Sequence, residues 1–254
     1  MSVLSRLGSI LGTLFLGVFS LGVWLVALVW MSSAATLALL LIPIVPFKRS
    51  HPYLGAPAMA ACVRMTLSRL RVTYDPGFDP ERRSVFCQNH VSVLDGHVAC
   101  GVIPHAFCGL MNHTHFRIPG YGWIMKLARG IPVYPRSSGR TAEISEAARE
   151  RAAYGLSILT FPEAHRTLDG GVREFRRGVF FMARDAGLPV VPVAVRGLYA
   201  INRKGSWLFR PGTVDVYVGS QVETAGLTDE QVADLARDVQ GAIHTYVRTG
   251  SPRP

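Results

Sequence analysis

The sequence predicts a mixed α/β sheet flanked by helices and preceded by an apolar helical hairpin that acts as a monotopic membrane anchor. Three observations carry this. Residues 7–47 contain no charged side chain and are bounded by Arg6 on one side and by Lys48 and Arg49 on the other. From residue 71 onward, short β-favouring runs alternate with stretches of helical length, which is the pattern of α/β domains. The chain has 254 residues and 49% hydrophobic content, enough for a large core and too apolar for a disordered chain.

Taken in order, residues 9–30 are long enough to cross about 30 Å of hydrocarbon, whereas 34–45, ahead of Pro46, are short for a second crossing. A turn at Ser32 and Ser33, with basic residues at both ends, predicts a hairpin that dips into the bilayer and returns to the same side. A single spanning helix is the alternative. A cleaved signal peptide fits poorly, because its apolar region is typically about 7–15 residues. Residues 1–50 are thus expected to form the membrane hairpin and 51–254 the α/β domain. Residues 51–70 read as a helix led by Pro57, with Met59, Cys62, Val63 and Leu67 on one face. Strands are expected at 71–74, 84–87, 106–110, 130–134, 156–161, 190–195 and 213–218. Helices are expected at 97–102, 122–128, 140–154, 176–186 and 229–247, the last behind a Thr228 cap.

The charge balance, 27 basic against 17 acidic residues, gives +10, and the only lysines are Lys48, Lys126 and Lys204. Arginine forks match carboxylate and phosphate, so the expected partners are anionic: a phospholipid membrane or a phosphorylated substrate. Nucleic acid is not expected, since no binding motif accompanies the charge and an uncharged anchor has no part in that role. The cysteines, Cys62, Cys87, Cys100 and Cys108, have no metal or redox spacing and read as reduced core residues. With the anchor, they place the domain at the cytoplasmic face of the inner (plasma) membrane.

Chemistry centres on residues 88–96, QNHVSVLDG, where His90 precedes Asp95 by five positions at a strand-to-helix turn. In one continuous helix, five steps of about 100° would set the two roughly 140° apart. His90 therefore belongs in the loop and Asp95 in the first helical turn. There the carboxylate fixes the imidazole tautomer and leaves the other nitrogen as a general base. Three later stretches also carry chemistry. GIPVYPR, 130–136, delivers Arg136 beyond a proline; FPEAHRT, 161–167, exposes Glu163, His165 and Arg166 at a strand end; VVPVAVRG, 190–197, is an apolar strand interrupted by Pro192. No GxSxG elbow occurs, and His113 and His115 have no third ligand at suitable spacing, so no metal is expected.

In this order and spacing, the four blocks resemble those of the lysophosphatidate acyltransferase (1-acylglycerol-3-phosphate acyltransferase) family of membrane-bound glycerolipid enzymes. Asn89, His90 and Asp95 match its first motif; Gly130, Ile131 and Arg136 match its second; 191–197 matches its fourth. The third, usually Phe-Pro-Glu-Gly-Thr-Arg-Ser, is matched by Phe161, Pro162, Glu163 and Arg166, while Ala164, His165 and Thr167 depart from it. The resemblance implies transfer of a fatty acyl group from a thioester of coenzyme A or acyl carrier protein, with no other cofactor. The acceptor is the free hydroxyl of a lysolipid, first 1-acylglycerol-3-phosphate, then a lyso-ornithine lipid or another lysophospholipid. It further implies His90 as general base oriented by Asp95, with Asn89, Gly130, Arg136, Glu163, His165 and Arg166 on the substrate. The rival readings are a catalytically silent membrane scaffold and a lipid hydrolase.

Overall fold

A single helix, α1 (Val3–Leu41), runs unbroken through the apolar segment. The computed structural model describes residues 3–41, 43–135 and 140–252. The hairpin is thus corrected to one helix, and the turn at Ser32 and Ser33 is absent. The physical reason is that serine and alanine keep every backbone donor and tolerate helical geometry. Ser32 even accepts the Thr36 hydroxyl on its carbonyl at 2.9 Å, and the first proline is Pro43.

After α2 (Phe47–Ser50), a π-helical turn over His51–Gly55 and α3 (Ala56–Met65), the chain enters the sheet. Each of the seven expected strands forms: β1 (Arg69–Tyr74), β2 (Val85–Gln88), β3 (Phe107–Asn112), β4 (Ile131–Val133), β5 (Ser157–Thr160), β6 (Val190–Arg196) and β7 (Thr213–Val218). The order across the sheet is β1-β7-β6-β2-β5-β3-β4. Pairing is parallel except between β6 and β7, which makes the sheet mixed. The central strands β2 and β5 are buried at every position, as strands covered on both faces must be.

The connecting helices are α4 (Asp95–Cys100), α5 (Tyr121–Leu127), α6 (Thr141–Ala153), α7 (Gly178–Ala186), the short α8 (Leu198–Ile201) and α9 (Asp229–Thr249). The Thr228 cap is a full capping box, with the Thr228 side chain and Gln231 each satisfying the other's backbone amide. One face of the sheet packs through Val85, Cys87 and Ile158 against α6, α7 and α9. The other packs through Phe86, Leu159 and Val191 against α3, α4 and α1.

The helix α1 touches this second layer along one side only. Ser20 is fully buried and its hydroxyl accepts the Phe209 amide at 2.9 Å. Trp24 Nε1 donates to the Trp207 carbonyl at 2.8 Å, and Trp30 Nε1 to that of Ala58 at 2.9 Å. The opposite side, including Leu14, Phe15, Val18, Leu25 and Val29, is exposed.

Candidate active site

Strand β2 ends at Gln88, and Asn89 keeps the chain tied to the sheet by its side chain. Its Nδ2 donates to the Val195 carbonyl at 2.9 Å, and the Val195 amide donates to its Oδ1 at 2.7 Å. The side chain thereby imitates one more step of the β2–β6 ladder. Expected on the substrate, the side chain is fully buried and engages the β6 backbone with both its oxygen and its nitrogen.

One residue later, His90 turns into the open at the carboxyl edge of the parallel strands. Asp95 opens α4 and is 1% exposed; its Oδ2 accepts from His90 Nδ1 at 2.6 Å, Val91 N at 2.7 Å and Ser92 N at 2.8 Å. Burial pushes the Asp95 carboxyl above its ordinary range, opposed by His90 and the two amides. Three donors converging on one oxygen leave no room there for a proton. Nδ1 therefore carries the hydrogen, and Nε2 is the basic nitrogen. The imidazole lies on the Phe161 ring, 4.2 Å between centroids at 17°, with 23% of its side chain exposed. Among the described residues, Asp95 is its only hydrogen-bonding partner.

The loop after β5 grips the same turn from the other side. Glu163 Oε1 accepts the His90 amide at 2.8 Å, and its Oε2 accepts the Arg173 amide at 3.0 Å. The Thr167 amide donates to the His90 carbonyl at 2.9 Å. Burial raises the Glu163 carboxyl and the two amides hold it down. Expected on the substrate, Glu163 is 4% exposed and engages backbone with both oxygens. Arg166 sits between these anchor points, half-buried, beside the exposed His165; neither makes a hydrogen bond or ion pair among the described residues. Gly130 is buried against the Phe116 ring, and Arg136 lies outside the described residues.

Phe161 and Thr167 thus gain roles that composition did not announce. The signal was available in the topology: β2 and β5 are parallel neighbours with Cys87 opposite Thr160, so the residues that follow each must meet. Together these side chains hold a positioned, partly exposed imidazole, and among the described residues no hydroxyl or thiol engages its ring.

The family described as Acyltransferase matches residues 69–196, half of the chain. A 1-acyl-sn-glycerol-3-phosphate acyltransferase of Pseudomonas aeruginosa is 25% identical over 232 residues, 89% of this chain and 87% of that one. One from Limnanthes douglasii is 27% identical over 170 residues, 66% of this chain, and the match spans 59% of the plant protein's length. The crystal structure of the 1-acyl-sn-glycerophosphate acyltransferase PlsC from Thermotoga maritima superimposes with a TM-score of 0.78 at 21% identity, covering 95% of this chain and 98% of that one, and so shares its fold.

Proposed function

The chain belongs to the acyltransferase family, and from that premise we propose that it transfers a fatty acyl group from an acyl thioester to the free hydroxyl of 1-acylglycerol-3-phosphate, giving phosphatidate. The observation that carries this reading is the 2.6 Å contact of His90 Nδ1 with Asp95 in a turn where, among the described residues, no hydroxyl or thiol engages the ring. A thioester is already activated and needs no covalent relay. Nε2 of His90 takes the proton of the acceptor hydroxyl as its oxygen attacks the thioester carbonyl carbon. The tetrahedral oxyanion then collapses, the C–S bond breaks, and the leaving thiolate recovers the proton from the imidazolium. The Asp95 carboxylate balances that imidazolium while it lasts.

The choice of acceptor is supported by Arg166, a cation without a partner among the described residues, held in a loop bonded to His90 at both Glu163 and Thr167. A guanidinium there forks onto a phosphate, with Arg136 as the second cation and His165 at the rim. The names of the relatives point the same way. The donor carrier is coenzyme A or acyl carrier protein, and the scheme needs no further cofactor. The apolar helix α1 keeps the domain at the membrane that holds the acceptor, on its cytoplasmic face.

The test incubates the full chain with an acyl thioester and, separately, 1-acylglycerol-3-phosphate, a lyso-ornithine lipid, a lysophosphatidylcholine or water, and identifies products by mass spectrometry. Phosphatidate is expected. His90→Ala should lose about 10² to 10⁴ in rate. Arg166→Ala should raise the acceptor KM about tenfold and leave the thioester KM nearly unchanged. Near-full activity in His90→Ala would remove the dyad from the mechanism, and free fatty acid as the main product would favour the hydrolase.

A further inference from the structure

A cleft of about 690 Å³ opens beside β4, the free edge of the sheet. Its wall is cationic. Lys126 and Arg129, where α5 gives way to β4, line it together with Arg151 at the end of α6. Lys48 stands at the rim with its ammonium 5.1 Å from the Tyr154 ring. Among the described residues, no carboxylate lines the cleft.

Arg129 is built into place. Its backbone is left-handed at φ 56, its carbonyl accepts Arg151 Nε at 2.9 Å, and its guanidinium lies 3.8 Å from the centre of the Tyr154 ring. The floor is aromatic, and two glycines make room for it. A Cβ on Gly122 would meet the Phe116 carbonyl at 2.3 Å, and one on Gly130 would meet the Phe116 ring at 3.1 Å. Arg151 is paired with Glu150 at 3.0 Å, whereas Lys126 and Arg129 have no carboxylate partner among the described residues; such cations beside aromatic surface are the chemistry that recognises a phosphorylated nucleotide.

The sheet connects this cleft to His90. Phe86, Leu159 and Gly109 share one row, and Ile131 pairs with Leu110 in the next, so β4 lies three strands, roughly 14 Å, from β2. Ile131 packs on the same face as Val85 and Cys87. Pro132 and Tyr134 therefore turn to the face of Phe86 and, by the same alternation, of His90. On that face, Phe161 stacks on His90, Met111 pairs with Pro132 and is half-buried, and His113 at the cleft stacks on Tyr134 at 4.9 Å.

We propose that the cleft binds the phosphorylated adenosine end of acyl-coenzyme A, and that the pantetheine arm follows Met111 and Phe161 to bring the thioester to His90. The ligand rests on the acyl-transfer reading above. A concave site of this volume fits a nucleotide.

The double substitution Lys126→Glu and Arg129→Glu changes two exposed side chains and spares Arg151, which braces the backbone. Equilibrium binding of coenzyme A, and of pantetheine as the fragment without phosphates, to the full chain in detergent micelles reads the site without turnover. Saturable coenzyme A binding is expected, weakened about tenfold or more by the double substitution. Pantetheine binding should be unaltered, and the KM for acyl-coenzyme A should rise in proportion while kcat holds. Arg237→Glu on α9 should change neither affinity.

No coenzyme A binding by the unaltered chain, or equal affinity in the double variant, overturns the proposal. A loss confined to phosphatidylglycerol vesicles would make the cleft a lipid head-group site, and a loss confined to acyl carrier protein thioesters would make it a protein dock; either also overturns it. The acyl-transfer reading fails separately. A chain that binds coenzyme A through these cations yet forms no acylated product keeps the cleft and loses the reaction.

Discussion

Glu163 reaches His90 only through the backbone, which makes it a positioning residue whose effect can be separated from that of the base. Glu163→Gln keeps one oxygen as acceptor but turns the other into an NH₂ group facing an amide N–H, so one of its two bonds is lost. The expected result is a kcat lowered about tenfold, with the acceptor KM nearly unchanged, for a lost bond of this kind. A stability loss with kcat intact would reduce the residue to a structural brace. Beside it, Ala164 is held at φ 62, a left-handed backbone that costs a residue with a Cβ roughly 1 kcal/mol. Ala164→Gly should therefore raise stability, after the entropy that glycine adds to the unfolded chain, by about 0.5 kcal/mol in urea denaturation. A loss there would mean the loop is not held left-handed in solution. At this scale the dyad was legible because one strand, turn and helix hold both members. The tasks of Asn89 and Glu163 were not, because their partners stand 106 and 73 positions away in sequence.

Elements were more legible than their arrangement. The strands could be read because burial on both faces demands short runs of continuous apolar residues, and β2, β5 and β6 supply them. Their order, with β6 antiparallel to β7 but parallel to β2, depends on packing between residues far apart and leaves no local trace. The same limit hid how the segment between α2 and α3 is fixed. His51 packs between Phe47 and Phe107, 5.1 and 4.9 Å between rings, with Nδ1 buried and unbonded. His105 is held between the Pro80 carbonyl and the Ser157 hydroxyl. Burial lowers both imidazoles from 6.5 to about 4. Above pH 6.5 each is neutral in both the folded and the unfolded chain, so neither affects stability. Between pH 6.5 and 4 only the unfolded chain takes up the protons, and stability falls, by up to ~3 kcal/mol for each histidine. Urea melts of wild type and His51→Phe should then diverge as the pH drops from 7 to 4, the variant losing less; parallel curves would refute a neutral His51.

For the whole molecule, the question is what a 39-residue apolar helix does when part of it is bound to a charged domain. At 1.5 Å per residue α1 is roughly 58 Å long, ample to cross a bilayer by length alone. Between Gly17, which lies against the Trp207 ring, and Trp30, however, one side of it is committed to the α/β domain. That domain carries Arg203, Lys204 and Arg210 around the same Trp207, charges that cannot follow the helix into hydrocarbon. The stretch ahead of the contact, residues 3–16, measures roughly 21 Å and does not span about 30 Å unaided, and beyond Trp30 the side of the helix carrying Met31, Ala34, Ala35, Ala38 and Leu41 is still half-buried. The geometry therefore favours α1 lying along the interface, its apolar side in one leaflet and the tryptophans at head-group depth. Both ends of α1 should then be reached from the same side. Single cysteines introduced at Ser9 and Ser33, in a chain whose four native cysteines are replaced, should both react with an impermeant thiol reagent added to the cytoplasmic side of sealed inverted vesicles. Reaction of one from each side would instead show that the helix crosses, and that its contacts with Trp207 and Phe209 open when it enters the membrane.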